Sequence, residues 1–162
     1  MMRTGRSGGW IIIASFLAAL ALTILPLPGW LAMIRPEWVA LVLIYWCMAL
    51  PGRVGVGFAW TIGLLLDVLR AALLGQHALS LAIVAYITLQ LYQRIRVFPL
   101  WQQAVSVFIL ILLHLMLQLW IKGMSGNPPP ALTFLLPALS SMLLWPLMFL
   151  GLRRLRRRYR VS

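Results

Sequence analysis

The sequence predicts an all-α integral membrane protein with six transmembrane helices, and three observations carry that reading. Of the 162 residues 63% are hydrophobic, with a mean hydropathy of +0.97, far outside the range of a soluble domain of this size. A soluble fold of that composition would expose apolar patches well beyond the few hundred Å² that monomers tolerate. The apolar residues are gathered into six runs bounded by Pro, Gly and Arg. When six helices alternate in direction, eleven of the fourteen Lys and Arg residues fall on one side, leaving Arg35, Arg70 and Lys122 on the other. Over short loops that asymmetry is the positive-inside signal, so both tails are expected in the cytoplasm. A five-span alternative would place one basic tail outside. The runs leave no stretch for a separate aqueous domain, so 1–162 is read as one membrane domain with a basic cytoplasmic tail at 153–162.

The first run, 10–25, is flanked by Trp10 and Trp30 where an aromatic belt would sit, and Pro26, Pro28 and Gly29 end it. Arg3 and Arg6 precede it, and the apolar run goes on unbroken to Pro26, so it reads as an anchor rather than a cleaved signal. The second, 37–50, opens on Pro36 and Glu37, a first-turn proline and an acid at the positive end of the helix dipole. Its length gives a rise of only about 21 Å against a hydrocarbon core of roughly 30 Å. It must be buried by neighbours, thin the bilayer or count as half a helix. Pro51 and Gly52 turn the chain into the third run, 55–69. The fourth, 78–92, lies between Gly75 and the group Arg94, Arg96 and Pro99, and the fifth is 101–121. The sixth, 132–152, follows a loop with Lys122 and Pro128 to Pro130, and is expected to kink at Pro137 and Pro146.

The third run holds Asp67, one of only two acidic residues in the chain. A charge at the centre of a span costs roughly 2.5–3.5 kcal/mol, so Asp67 needs a partner, a wet edge or a proton. An ion or substrate site is one reading; a local pair with Arg70, three residues on along the same face, is the preferred one. The same run reads Gly55, Ala59, Gly63 and Asp67 at every fourth position, with Ala71 beyond, a stripe that another helix can approach closely. It serves either helix packing within the bundle or docking of a partner helix. On that geometry Gly63→Leu should overpack and Gly63→Ala should be nearly silent, while Leu at Ala40 or Val107, outside the stripe, should be tolerated.

Catalysis finds little to work with. The acids are Glu37 and Asp67 and the histidines His77 and His114, so paired carboxylates, a metal cluster and a phosphate-binding glycine loop are lacking, and neither an enzyme nor a cofactor is expected. His114 and Gln118, four apart, share a helical face. They read as an intramembrane polar or proton-handling site or, preferably, as an interhelical hydrogen bond worth about 0.6 kcal/mol. His77 is placed in a loop after Gly75 and given no role. Cys47, alone in an apolar run, offers no disulfide framework. The eight tryptophans mostly flank the runs and read as interface anchors. Arg153, Arg154, Arg156, Arg157, Arg158 and Arg160 follow the last run directly, so they meet the anionic leaflet first, where each Arg gains about 1 kcal/mol. Lipid contact is preferred to nucleic-acid binding.

Several strings also resemble a known family. RPEWVALVLIYWCMALPGRVGVG from Arg35, GLLLDVL from Gly63, LGQHALSLAIVAYI from Leu74, LWQQAV from Leu100 and LLWPLMFL from Leu143 resemble, in order and spacing, the MreD proteins, rod-shape-determining membrane proteins of proteobacteria. The resemblance covers nearly the whole chain. It implies a non-catalytic scaffold of the bacterial inner membrane in the cell-elongation machinery, working with the bitopic protein MreC, the actin-like MreB, and the RodA glycosyltransferase with its paired penicillin-binding transpeptidase. It also implies an architecture similar to the substrate-binding subunits of energy-coupling-factor transporters, so a small-solute-binding membrane subunit is the alternative. A solute site needs several convergent polar groups. The membrane-buried set is limited to Asp67, His114, Gln118, Ser140, Ser141 and a few hydroxyls, which favours the scaffold.

Overall fold

Backbone N–H and C=O groups in lipid must be satisfied within their own segment, and helices do this for each apolar run. The computed structural model describes residues 9–25, 29, 37–50, 54–69, 75–124 and 135–158. They include six helices: α1 (Gly9–Ile24), α2 (Trp38–Ala49), α3 (Val56–Leu69), α4 (Gln76–Arg96), α5 (Leu100–Met124) and α6 (Leu135–Arg158). Three of them, α4, α5 and α6, are long and apolar enough to cross a bilayer, whereas α1, α2 and α3 have 16, 12 and 14 residues.

The shortest helix is the centre of the bundle. Ten of its residues, Val39 through Met48, are buried, and α2 packs against α1, α4, α5 and α6. Of the outcomes open to so short an apolar run, covering by neighbours is the one the bundle shows. Trp46 lies in this core with no exposed surface, its Nε1 donating to Ser15 Oγ of α1 at 2.9 Å. Trp145 of α6 is equally buried and donates from Nε1 to Gln103 Oε1 of α5 at 3.3 Å. A buried indole N–H needs an acceptor, and these two tryptophans are core residues, not interface anchors. Trp10, Trp60, Trp101 and Trp120 are exposed, as are Leu17, Val68, Ile109, Leu143 and Leu147 on the outer helix faces. An exterior this apolar is made for lipid.

Helix ends differ from the sequence reading in instructive places. Arg94 and Arg96 belong to α4, and α6 continues through Arg158, so most of the basic cluster forms the last turns of a helix instead of a separate tail. Cations there complement the negative end of the dipole. Pro137 is in the first turn of α6, where its missing N–H would have had no intrahelical acceptor, so the kink expected there has no cause. Pro146 lies inside the helix and deprives the Met142 carbonyl of its donor.

The closest backbone approach is at Gly63. A Cβ built there would lie under 3.0 Å from Ala78 Cα and N and from the His77 carbonyl carbon. Ala59 and Asp67, one turn to either side, have no exposed surface. Gly55 precedes the helix and a Cβ there meets nothing within 4 Å, so the contact runs from Ala59 to Asp67 and is covered by α4 of the same chain. Even a methyl group at Gly63 therefore collides with backbone, which overturns the expectation that Gly63→Ala is silent. Ala40 and Val107, 1% and 0% exposed, are core positions and cannot serve as neutral sites for Leu. Gly63→Ala should lower the melting temperature of the detergent-solubilised protein and Gly63→Leu should lower it further, overpacking of this kind costing about 1–3 kcal/mol. Gly151→Ala, in a helix with nothing within 4 Å, should be neutral or slightly stabilising. If Gly63→Ala melts like the unaltered protein, the α3–α4 contact is not as close as described.

Candidate functional site

The first N–H groups of a helix have no intrahelical acceptor, and α4 begins inside the bundle, with Gln76 and His77 buried. Gly75 precedes it at φ +97°, a left-handed conformation that glycine adopts without strain, and brings no side chain to cap the helix. The cap comes from α3. Asp67 Oδ2 accepts the Gly75 N–H at 2.8 Å and Oδ1 accepts the His77 N–H at 2.8 Å, with the Ala78 N–H 3.4 Å from Oδ2. His77 Nδ1 lies 2.7 Å from Oδ1. Beside an ionised carboxylate Nδ1 must carry the proton and donate it. The negative charge also sits at the positive end of the α4 dipole. Asp67 thus has its partners, and Gly63, one turn earlier, is what lets α3 come near enough to supply them. Arg70, the partner expected from sequence, lies outside the described residues, as do Ala71 and Arg160.

His114 of α5, fully buried, extends the polar cluster. Its ring centroid is 6.1 Å from that of His77, and its Nε2 is 2.9 Å from Gln118 Nε2 and 3.6 Å from Glu37 Oε2. The His114–Gln118 bond is within one helix, not between two; the interhelical reach of His114 is toward Glu37 at the start of α2 and His77 at the start of α4. With the Gln118 amide donating, Nε2 is the acceptor and the proton is on Nδ1, which has no hydrogen-bond partner among the described residues. Turning the amide over would put the proton on Nε2, facing Gln118 and Glu37. The Glu37 N–H donates to Ser141 Oγ of α6 at 3.0 Å, and that hydroxyl donates to the Pro137 carbonyl at 2.8 Å.

Both carboxylates and both histidines of the chain therefore meet at one end of the bundle, drawn from α3, α4, α5 and the residue that opens α2, with Ser141 of α6 attached. Glu37, its side chain 14% exposed, is the outer edge of the group. Sequence reasoning passed over His77 and read Glu37 only as a dipole partner. The signal was available: four acids and histidines in so apolar a chain each need a partner, and the nearest candidates are one another. Among the described residues no three His, Cys, Asp or Glu side chains are placed to hold a metal ion. The cluster joins helices, and acid and imidazole pairs can pass protons; the hydroxyls beside it, Ser80 and Ser141, are bonded to backbone groups. At the opposite end, Arg153 and Arg156 are half-buried on α6, and Arg154, Arg157 and Arg158 are exposed.

Removing the cap should be costly. Asp67→Ala would orphan two buried N–H donors and the His77 ring, at about 1–3 kcal/mol per group, and should lower the melting temperature more than Gln118→Leu, which removes a bond worth roughly 0.6 kcal/mol. Asp67→Asn, which keeps one acceptor oxygen, should fall between. Equal melting of Asp67→Ala and the unaltered protein would show that the α4 terminus is satisfied some other way.

Comparison with known proteins gives the family. Residues 4–155 match the family model described as rod shape-determining protein MreD. A curated relative, rod shape-determining protein MreD of Haemophilus influenzae, is 33% identical over 153 residues, 94% of each chain. No solved structure matches the chain. The matched stretch takes in the acid and histidine cluster and all but the last residues of α6. The chain belongs to the MreD family of rod shape-determining proteins.

Proposed function

We propose that the chain is a non-catalytic, six-pass scaffold of the bacterial inner membrane, with both tails in the cytoplasm, that binds MreC and helps organise peptidoglycan synthesis in the cell-elongation complex. MreB, RodA and its paired penicillin-binding transpeptidase are partners in the wider assembly, and membrane lipid is a direct contact of the basic helix end. The observation that carries this reading is where the interior polar groups go: Asp67 binds His77 and the α4 terminus, and Gln118 binds His114, whose ring lies beside that of His77. A bundle locked in this way presents a fixed outer shape to other transmembrane helices, and small-residue and polar contacts of that kind are what hold helices together in lipid.

The alternation of the ends of α2 to α6 supports antiparallel passes for these five helices, and α1 is read as the sixth. The starts of α2, α4 and α6 meet the end of α3 and the second half of α5 at the acid and histidine cluster, while the ends of α2, α4 and α6 gather at the other end with the start of α5. Arg96, Arg153 and Arg156 are at that second end, as the positive-inside rule requires of a cytoplasmic face. The solute-binding alternative gains no support. The cavity at the basic end, about 210 Å³, is below the roughly 300–1,000 Å³ of small-molecule sites, and the likeness to energy-coupling-factor subunits has only the helix number behind it.

Reporter fusions after Arg96 should read cytoplasmic and fusions at Leu73 and Asn127 periplasmic; a periplasmic reading after Arg96 would remove the six-pass arrangement. Tagged protein solubilised from its own membranes should bring MreC with it. Recovery without MreC would leave the rod-shape role to a different contact.

A further inference from the structure

Arg96 of α4 and Arg153 and Arg156 of α6 line one cavity of about 210 Å³ at the basic end of the bundle. Phe149 forms part of its wall, and Tyr45 and Gln103, 2% and 3% exposed, form its inner side. Gln103 is fully engaged: its Nε2 donates to the Ile95 and Phe98 carbonyls at 3.2 and 3.3 Å and its Oε1 accepts from Trp145. The other polar groups are not. Among the described residues the three guanidiniums make no ion pair or hydrogen bond; Arg96 lies over the Tyr92 ring at 5.6 Å and Arg153 over the Phe149 ring at 6.0 Å. The Tyr45 hydroxyl makes no hydrogen bond there either.

Three cations beside one another raise one another's energy unless an anion lies among them. The sequence has fourteen Lys and Arg residues and only two acids, and both acids are at the far end of the bundle with His77 and His114. Glu37 opens α2 and Tyr45 is two turns along it, so no acidic side chain of this sequence reaches the cavity. Neither acidic side chain of the sequence can therefore neutralise the three guanidiniums.

We propose that this cavity binds the phosphate group of an anionic membrane lipid. Guanidinium forks match phosphate oxygens in pairs, the Tyr45 hydroxyl is a further donor on the inner wall, and Phe149 with the exposed Leu150 offers an apolar surface along which acyl chains can lie. The volume admits one headgroup phosphate rather than a larger solute. This rests on the reading that the basic end faces the cytoplasmic leaflet, where anionic lipid is concentrated, and it goes beyond general attraction by the α6 arginines because Tyr45 and Arg96 come from other helices.

Native mass spectrometry of the detergent-solubilised full chain, titrated separately with phosphatidylglycerol, phosphatidylcholine and inorganic phosphate, tests it. Phosphatidylglycerol should be retained in preference to phosphatidylcholine. Arg96→Gln/Arg153→Gln/Arg156→Gln should weaken that retention about tenfold or more, whereas Arg94→Gln/Arg154→Gln/Arg157→Gln, which removes the same charge from arginines that do not line the cavity, should change it by less than about threefold. Tyr45→Phe, which keeps the ring packing, should weaken it measurably with the melting temperature unchanged. Equal losses in the two triple variants would overturn the pocket in favour of diffuse attraction. Inorganic phosphate held as tightly as the lipid would overturn the lipid as the source of the phosphate. Because binding in micelles does not depend on which leaflet the end faces, a negative result here is distinct from a failure of the topology, which the fusions report.

Discussion

The carboxylate of Asp67 at the start of α4 is the interaction on which the rest of the bundle depends. A helix that begins among apolar side chains cannot leave its first N–H groups to water, and each one left unsatisfied costs about 1–3 kcal/mol. One carboxylate from α3 meets two of them and the His77 ring at 2.7 to 2.8 Å. That solution constrains its surroundings in turn. α3 must touch α4, which requires Gly63; the chain must turn sharply before the helix, which Gly75 allows at φ +97°. The opposite end of α4 is treated in the same manner, the Ile95 carbonyl in its last turn and the Phe98 carbonyl just beyond it taking hydrogen bonds from Gln103 of α5. A neighbouring helix thus holds each terminus of α4, and the position of α4 is set at both ends by polar contacts rather than by shape alone.

Placing the only two acids together has a consequence for charge. Glu37 and Asp67 lie with the two histidines at one end, and the other end carries Arg96 and the arginines of α6 with no acidic side chain near them. The molecule is electrically lopsided along the bundle axis. In a bilayer whose cytoplasmic leaflet is anionic, that lopsidedness favours one orientation and draws negative headgroups to one end.

The sequence announced the helices well because each is an apolar run with Pro, Gly or Arg at its edges, but for the short run 37–50 it left burial, bilayer thinning and a half-helix open, and the covering of α2 by its neighbours came only with the tertiary packing. The Asp67 site was half legible. Its need for a partner followed from its charge, but naming the α4 terminus, eight to eleven residues on, as a partner required knowing that α4 begins inside the bundle. His77 went unread for the same reason, being placed in a loop when it is the second residue of a helix. Gly63 was recognised as a contact, yet the closeness of that contact, which excludes even a methyl group, is set by the angle at which two helices meet and no spacing rule contains it. Gln103, whose side chain makes three hydrogen bonds, to Ile95 of α4, to Phe98 just past it and to Trp145 of α6, had no sequence signal beyond being a glutamine in an apolar run.

A scaffold in lipid has a particular problem, since the apolar exterior that keeps it in the bilayer gives no hydrophobic drive for one helix to choose another. Definition of shape has to come from contacts that lipid cannot imitate. In this chain those contacts are the backbone touch at Gly63, the charge at the α4 terminus, the Ser141 hydroxyl on the Glu37 N–H, and the two buried indoles with their side-chain acceptors. Each lies between helices, and together they involve all six. What remains outward is almost wholly apolar along the helix faces and basic at one end, so partner transmembrane helices meet a surface whose geometry is fixed from within, and selection among them rests on fit.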